Sequence, residues 1–249
     1  MTCFLYLRNV EGKGWNRKRV YRIYCEEGLN LRVKPRRRIK REKPEKLAVP
    51  SAPNVTWSMD FMQDNLRDGR TLRCQNVIDD FNREALGVEC DLSLPAKRVI
   101  RFLDRVIEWR GAPQAIRVDN GPEYIGSVMR DRAFSRGIAL NFIEPGSPQQ
   151  NDCIERFNGT CRWEWLNQHV FGSVEDAQDI ATSWMIKYNE RRPHQGLGGA
   201  TPAQKLAASG WRYRRGGGGL VRVGAGGVSS RSAFAPFGVF GAFRRSLAA

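Results

Sequence analysis

The sequence predicts an α/β domain with one mixed central sheet. Three short segments with strand-like alternation follow one another between residues 56 and 91. From residue 95 onward, stretches with helical spacing of apolar residues alternate with short apolar segments. A run of strands followed by helix–strand alternation is typical of a sheet covered by helices. We therefore expect helices to flank a single sheet.

The first three strands are predicted from alternation and from a turn. The segment Thr56–Met62 places Trp57, Met59 and Phe61 on one face of a strand. The following Arg67-Asp-Gly-Arg sequence contains an Asp-Gly pair, which is a strong signal for a hairpin turn. The next two predicted strands are Thr71–Ile78 and Glu84–Asp91.

Helices and strands alternate in the second half of the domain. Pro95 is a suitable first-turn residue for a helix. Val99, Leu103 and Val106 form one apolar stripe along this helix, and Gly111 ends it. The remaining predicted elements are a strand at Ala115–Val118, a helix after Pro122, a strand at Ala139–Ile143, and helices over about residues 152–168 and 174–189.

Composition excludes several classes of protein. The chain has 249 residues, of which 41% are hydrophobic, so it can bury a core of ordinary size. No run of eighteen or more apolar residues appears, and we predict no membrane span. The six cysteines form no Cys-x-x-Cys pair and only two histidines are present, which argues against a zinc site. Scattered thiols suit the cytoplasm, where we place the protein.

Positive charge is concentrated at the two ends of the chain. Residues 1–50 hold 15 Lys and Arg against 5 Asp and Glu, and residues 210–249 hold 7 Arg and no acid. The formal net charge of the whole chain is +15. Because clustered basic residues neutralise phosphates, this distribution predicts a nucleic-acid partner and salt-dependent binding.

These patterns divide the chain into three regions. Residues 1–47 contain a predicted helix at 15–31 and a basic linker, residues 48–209 contain the α/β core, and residues 210–249 form a Gly/Arg-rich tail that we expect to be disordered. The first 14 residues carry no clear structural signal. Five basic residues of the first region are predicted to contact nucleic acid: Arg17, Lys18, Arg36, Arg37 and Arg38.

Three acidic residues are the best candidates for chemistry. Asp60 lies inside the first predicted strand, Asp119 ends the Ala115–Val118 strand, and Glu155 lies one turn into a helix. Taken alone, each residue has an ordinary explanation: Asp60 as an edge-strand aspartate that faces water, Asp119 as an aspartate that caps a turn or helix, and Glu155 as a solvated helix glutamate. If the fold brings them together, two carboxylates about 4 Å apart repel by roughly 4 kcal/mol at an effective dielectric of about 20, so the cluster favours divalent cations.

Other titratable residues compete with this interpretation. Asp64, Asp79, Asp80 and Glu123 are rival carboxylates. The Asp79-Asp80 pair at a strand end is the most serious, although it also suits a cap for the turn before Phe81. For His194 we favour a structural or DNA-facing role over a metal ligand or base.

An ordered set of motifs resembles a bacterial insertion-sequence transposase, most closely the family of insertion sequence 3. The matching segments are Trp57-Ser-Met-Asp60-Phe, Asn76-Val-Ile-Asp-Asp-Phe, Ile116-Arg-Val-Asp119-Asn-Gly-Pro-Glu-Tyr, Pro145-Gly-Ser-Pro-Gln-Gln-Asn, Ile154-Glu155-Arg-Phe-Asn and Tyr188-Asn-Glu-Arg-Arg-Pro-His-Gln-Gly-Leu-Gly. This resemblance implies an RNase H-like core similar to that of retroviral integrase. The family's Asp-Asp-Glu triad falls on Asp60, Asp119 and Glu155, with 35 residues between the last two.

The resemblance also implies cofactors and partners. We expect two Mg²⁺ (or Mn²⁺) ions on the three carboxylates, and DNA strand cleavage and strand transfer at the ends of the element. Arg162 matches a basic residue found seven positions after the glutamate, and with Arg156 it is expected to contact DNA. Further expected partners are target DNA, other copies of the chain, and a helix-turn-helix protein from an upstream reading frame. The protein would associate with the nucleoid.

Two alternatives stay open at this level. A truncated, catalytically inactive copy would still bind element ends through its basic residues. An RNase H-like nuclease or a phage-type integrase would use the same carboxylates, although the Tyr188–Gly198 motif favours the transposase.

Overall fold

The computed structural model describes residues 2–29, 49–144, 148–211, 213–216 and 219–222. Its central sheet has five strands: β1 (Thr56–Asn65), β2 (Thr71–Asp79), β3 (Ala85–Asp91), β4 (Ala115–Val118) and β5 (Ala139–Phe142). They form one mixed sheet in the order β3-β2-β1-β4-β5. β1, β2 and β3 form two antiparallel pairs, whereas β4 pairs parallel with both β1 and β5.

The predicted hairpin between the first two strands is confirmed. Leu66 donates its backbone N–H to Arg70 O at 2.8 Å and closes the turn. Gly69 has a φ of 85°, a left-handed conformation that glycine adopts without steric cost. The turn sets the register that places Asp60 opposite Asn76. β1 runs to Asn65 and is therefore longer than predicted.

Helices cover both faces of the sheet, as expected for a mixed sheet with two apolar faces. The helices of the domain are α3 (Ala96–Arg110), α4 (Pro122–Ile125), α5 (Ser127–Ser135), α6 (Asp152–Glu164), α7 (Val174–Arg191) and α8 (Pro202–Ala208), numbered after two N-terminal helices, α1 (Thr2–Asn9) and α2 (Arg17–Glu26). On one face of the sheet α3 packs against Trp57, Met59 and Val77. On the other face α6 and α7 pack against Met62 and Cys74.

The alternation of side chains along β1 determines the face of the sheet on which Asp60 lies. Trp57 and Met59 are fully buried in the core under α3, and Met62 is buried in the core under α6 and α7. Because side chains alternate across a strand, Asp60 lies on the α6 side. The two cores therefore fix the side of the sheet on which this carboxylate lies.

Several predicted helix limits were wrong. The helix expected at residues 15–31 spans only Arg17–Glu26, and of its apolar residues Val20 is buried whereas Ile23 is exposed. The single helix expected after Pro122 is two helices separated at Gly126, whose extended backbone interrupts the turn pattern. The helix expected to reach residue 168 ends at Glu164 and continues as a 3₁₀ turn.

Structure also appears where the sequence carried no clear signal. α1 lies in the first 14 residues, and its Asn9 side chain donates to Gly199 O at 2.7 Å. α8 begins with a capping box between Thr201 and Gln204. In the tail, Tyr213–Gly216 and Gly219–Arg222 pair as two short antiparallel strands, β6 and β7. The rest of the tail prediction lies outside the described residues.

The division into residues 1–47, 48–209 and 210–249 stays a prediction. No helix in the described ranges combines the length and apolar character needed to cross a membrane.

A buried ion cluster ties α3 to the end of β2. The Arg110 guanidinium contacts Asp79 at 3.2 Å and Glu84 at 2.9 Å, and the side chains of Arg110 and Asp79 are fully buried. Arg110 also donates to the side chain of Asn54 at 3.2 Å. Removing one partner from such a cluster leaves the others charged and unpaired in a medium of low polarity.

We predict that Arg110→Ala lowers the free energy of unfolding by about 3–5 kcal/mol, because it leaves two buried carboxylates without their cation. Arg105→Ala on the same helix is the control: its ion pair with Glu89 is exposed, and its loss should cost less than about 1 kcal/mol. Urea denaturation of both variants checks this. Equal effects would contradict the structural role of Arg110.

Candidate active site

Parallel pairing of β1 with β4 brings Asp60 and Asp119 to the same level of the sheet. Ser58 pairs with Arg117, and continuing that register by two residues sets Asp60 beside Asp119. Asp119 follows β4 directly, at the carboxyl end where open α/β sheets bind ligands. Its Oδ1 accepts the backbone N–H of Gly121 at 3.0 Å, which holds the carboxylate in a turn.

One face of α6 brings Glu155 to these aspartates. Glu155, Asn158 and Arg162 are spaced by three and four residues, so they project from the same side of the helix. Asn158 Nδ2 donates to Asp60 Oδ2 at 2.8 Å, and Arg162 donates to the carbonyl of Gln63 at 2.8 Å. These two bonds dock α6 along β1 and place Glu155 near Asp60.

The surroundings of Asp60 raise the pKa of its carboxyl group to about 6, above the ordinary value of 3.8. Burial is the largest cause, and the negative charges of Asp119 and Glu155 act in the same direction. The Phe61 N–H, at 2.8 Å from Oδ1, and the Asn158 amide both act in the opposite direction. The carboxylates therefore repel one another in the absence of a cation.

An aromatic and ionic cluster supports the segment after Asp119. Tyr124 in α4 is fully buried and stacks on Phe61 with ring centroids 5.3 Å apart. The Arg73 guanidinium lies 4.5 Å from the Phe61 ring centroid and bonds to Glu123 at 2.8 Å. Burial, followed by the charges of Asp60 and Asp119, raises the pKa of Tyr124 well above its ordinary value.

Comparison with known proteins identifies the family to which this α/β domain belongs. A family model described as "Integrase core domain" matches residues 50–148, and a second model of the same description matches residues 136–202. An uncharacterized 31.7 kDa protein of insertion element IS407 from Burkholderia multivorans is 41% identical over 197 residues, covering 79% of this chain and 71% of that protein. This chain belongs to the integrase-core family of bacterial insertion elements.

A second relative and a solved structure extend the comparison. An uncharacterized 39.2 kDa protein of insertion element IS476 from Xanthomonas euvesicatoria is 43% identical over 194 residues, covering 77% of this chain and 56% of that protein. A chain of the simian T-cell lymphotropic virus intasome, solved with PP2A regulatory subunit B56 gamma, superposes with a TM-score of 0.54 at 18% identity, covering 80% of this chain and 73% of that one.

Together with the strand order, these similarities confirm the predicted RNase H-like fold. They also confirm the predicted insertion-element origin. Membership of the family of insertion sequence 3 stays a prediction.

The rival carboxylates of this integrase core have structural partners. Asp79 belongs to the Arg110 cluster and accepts the N–H of Phe81 at 3.0 Å, which is the predicted turn cap. Asp80 accepts from Ser58 at 2.7 Å and from Arg117 at 2.8 Å, although burial still raises its pKa to about 6. Glu123 bonds to Arg73, and Asp64 lies 3.8 Å from Arg162.

His194 has a structural position in the integrase core. It is buried, and its ring packs edge-on against Tyr188 with centroids 4.7 Å apart. Burial lowers its pKa to about 3, so the imidazole is neutral at physiological pH. This position agrees with the structural alternative predicted from the sequence.

The predicted DNA contacts differ in their surroundings. Arg162 is anchored at Gln63 while 43% of its side chain stays exposed. Arg156 forms an exposed ion pair with Asp152 at 2.6 Å. Arg17 and Lys18 are exposed in the first turn of α2. Arg36, Arg37 and Arg38 lie outside the described residues.

Asn158 and Asn76 are the polar residues of the site that sequence patterns did not single out. Asn76 is fully buried in β2 and donates to Asn158 Oδ1 at 2.6 Å. A signal for Asn158 was available, because it lies three residues after Glu155 on the same helical face. Its partner Asp60 is 98 positions away in the sequence, and helix periodicity cannot reveal such a contact.

The donor chemistry of the site suits a hard divalent cation. Carboxylate oxygens are the ligands that Mg²⁺ and Mn²⁺ prefer. A bound cation would also neutralise the repulsion of Asp60 by Asp119 and Glu155. Over the described ranges, no three His, Cys, Asp or Glu side chains are already arranged closely enough to hold a metal ion. Asp60, Asp119 and Glu155 are thus near enough to interact electrostatically, but they do not form a complete set of metal ligands.

We predict that Asp60→Asn stabilises the metal-free protein at pH 7.5 by about 1–2 kcal/mol, because it removes a partly buried charge that the fold disfavours. The pKa of Asp60 in the folded state, about 6, exceeds the ordinary value of 3.8. As the pH falls, Asp60 is therefore protonated in the folded state at a higher pH than in the unfolded state. The cost of the charged carboxylate is thus fully present above pH 6 and fades toward pH 4, and so should the advantage of the variant.

Urea denaturation in the presence of a chelator, at pH 7.5 and pH 5, measures this difference. Asp131→Asn, at an exposed position of α5, is the control and should change stability by less than about 0.5 kcal/mol. A loss of stability in Asp60→Asn at pH 7.5 would show that the carboxylate is favourably solvated.

Proposed function

We propose that this integrase-core protein is the transposase of a bacterial insertion element. It would cleave DNA at the element's ends and join the resulting 3′-hydroxyl to target DNA. The observation that carries the proposal is the docking of α6 on β1 through the 2.8 Å bond from Asn158 to Asp60, next to the end of β4 where Asp119 lies. The charges of Asp119 and Glu155 add to the rise in the pKa of Asp60 that burial causes. The family to which the chain belongs supports the same conclusion.

Asp60, Asp119 and Glu155 would hold two Mg²⁺ (or Mn²⁺) ions. Such ions, when bound, supply Lewis acidity at the phosphodiester and lower the pKa of a water or 3′-hydroxyl nucleophile. Two donors fix the Asp60 carboxylate: the Phe61 N–H on Oδ1 and the Asn158 amide on Oδ2. Each oxygen keeps a further lone pair for a ligand, so the carboxylate would meet the cation in a preset orientation.

The basic residues would bind and align the DNA. Arg162 lies on the active-site face of α6, donates to the carbonyl of Gln63 and lies 3.8 Å from Asp64. The exposed part of its guanidinium keeps donors for a phosphate. Arg156 would exchange its exposed partner Asp152 for a phosphate. Arg17 and Lys18 on α2, and Arg36, Arg37 and Arg38, would add contacts that do not depend on sequence.

The expected partners are the element ends and a target duplex. Two ends must be held together for transposition, so several copies of the chain would act on DNA. A helix-turn-helix protein from an upstream frame and a place at the nucleoid in the cytoplasm stay predictions from the resemblance.

The alternative of an inactive DNA-binding copy is not favoured. All three carboxylates are present, and α6 is docked through Asn158 in the position that brings Glu155 to Asp60. A chain that only bound DNA would not require three mutually repelling carboxylates in one site.

We predict that Glu155→Gln lowers metal-dependent strand cleavage at least about 100-fold while leaving DNA binding within about 2-fold, because the change removes one anionic ligand and little volume. The assay incubates the purified full chain with labelled element-end DNA and Mg²⁺ or Mn²⁺, beside a chelator control, and resolves products on denaturing gels.

Glu108→Gln on α3 is the matched control, because Glu108 is exposed on the opposite face of the sheet. It should cleave like the unmodified chain. Binding without cleavage by the unmodified protein would overturn the enzyme proposal, and cleavage that survives in Glu155→Gln would overturn the assignment of the triad.

We also predict that Arg162→Ala weakens DNA binding to a similar degree for all sequences and reduces the slope of log affinity against log salt by about 1, since one phosphate contact is lost. Fluorescence anisotropy over a range of salt concentrations measures this. Arg105→Ala on α3 should leave the slope unchanged. An unaltered slope in Arg162→Ala would assign this arginine to helix docking alone.

A further inference from the structure

A chain of two side-chain amides connects β2 to the carboxylate of Asp60. Asn76 Nδ2 lies 2.6 Å from Asn158 Oδ1, and Asn158 Nδ2 lies 2.8 Å from Asp60 Oδ2. Asp60 and Asn76 are direct partners across the β1–β2 ladder, so their side chains stand next to each other on the α6 face. Asn158 lies over both of them.

Hydrogen-bond chemistry gives this chain one direction. An ionised carboxylate only accepts hydrogen bonds, so Asn158 must present its N–H group to Asp60. Its carbonyl then faces Asn76, which must donate. If Asn158 rotated by a half-turn about its amide axis, two oxygens would face each other at Asp60 and two N–H groups would face each other at Asn76. The Asp60 carboxylate therefore excludes the reversed orientation of Asn158, and Asn76 supplies the donor that the Asn158 carbonyl then requires.

The surroundings of Asn76 show that its position is not that of an ordinary packing residue. Its side chain is fully buried, and its own Oδ1 has no hydrogen-bond partner among the described residues. A buried amide with one unmet acceptor is unfavourable unless its donor contributes to a favourable arrangement elsewhere. An aliphatic residue would fill this strand position without that cost. The bond to Asn158 is the described contact that the amide of Asn76 makes.

We propose that Asn76 is a positioning residue of the active site, which acts through Asn158 to hold the Asp60 carboxylate in the orientation that receives a divalent cation. This inference rests on the proposed function of Asp60 as a metal ligand. It adds a third layer to the site: the carboxylate, the amide that orients it, and the amide that orients the first amide. Partners behind a ligand commonly change metal affinity or activity by about 10–100-fold, and a residue one layer further out should have a smaller effect.

The test compares Asn76→Leu, Asn158→Leu and the double variant. Leucine has the same branching as asparagine and removes the donor, although it is larger. We expect Asn76→Leu to raise the Mn²⁺ concentration for half-maximal cleavage about 3- to 10-fold, and Asn158→Leu to raise it more. The double variant should match Asn158→Leu, because Asn76 has no effect once its intermediary is absent.

A second measurement does not depend on catalysis. Mn²⁺ should raise the thermal unfolding temperature of the unmodified chain in the absence of DNA, because it binds the folded state alone. The Mn²⁺ concentration required should rise by the same factor in Asn76→Leu. Gln75→Leu is the matched control, since Gln75 is equally buried in β2 and its side chain projects to the opposite face of the sheet. It should alter stability without altering the Mn²⁺ requirement.

Asn76→Thr covers the case in which leucine prevents folding. Threonine suits a strand and keeps a hydroxyl that is too short to reach Asn158, so it should shift the Mn²⁺ requirement in the same direction. Unchanged Mn²⁺ requirements in a folded Asn76 variant, or additive effects in the double variant, would overturn the inference. Absence of Mn²⁺-dependent cleavage in the unmodified chain would instead overturn the proposed function, and the two failures are therefore distinct.

Discussion

Carboxylates that repel one another must be held together by the rest of the molecule, and this constraint organises the whole integrase core. Asp60 lies in the middle of β1, where pairing with Asn76 of β2 limits the freedom of the backbone. Its neighbours arrive from a strand end and from a helix. The two apolar cores above and below the sheet supply the free energy that offsets the repulsion.

The position of α6 depends on apolar contacts and on hydrogen bonds, which have different effects. Ile154, Phe157 and Cys161 bury one face of the helix in the core, which fixes its distance from the sheet. Asn158 and Arg162 at the edge of that face then set its rotation and its position along β1. Apolar contacts are not directional, whereas hydrogen bonds are. The helix therefore needs both to present Glu155 at a defined point.

Sequence patterns predicted the parts of the site that follow local rules. Alternation along β1 is enough to place Asp60 on the face opposite Trp57 and Met59. The seven-residue spacing from Glu155 to Arg162 is enough to place both on one helical face. Contacts that join distant segments could not be predicted in this way. The bond from Asn158 to Asp60 and the docking of α1 on Gly199 depend on how separate elements meet in three dimensions.

The ten-residue length of β1 beside the four-residue β4 has a consequence for how this chain can vary during evolution. A single residue inserted or deleted in β1 ahead of Asp60 would rotate every later side chain to the other face of the sheet. The carboxylate would enter the apolar layer beneath α3, and a neighbouring apolar residue would take its place. Segments outside the ladder tolerate changes of length because no alternation depends on them. Related elements can thus diverge in their connecting segments, while the spacing within this strand must be inherited unchanged.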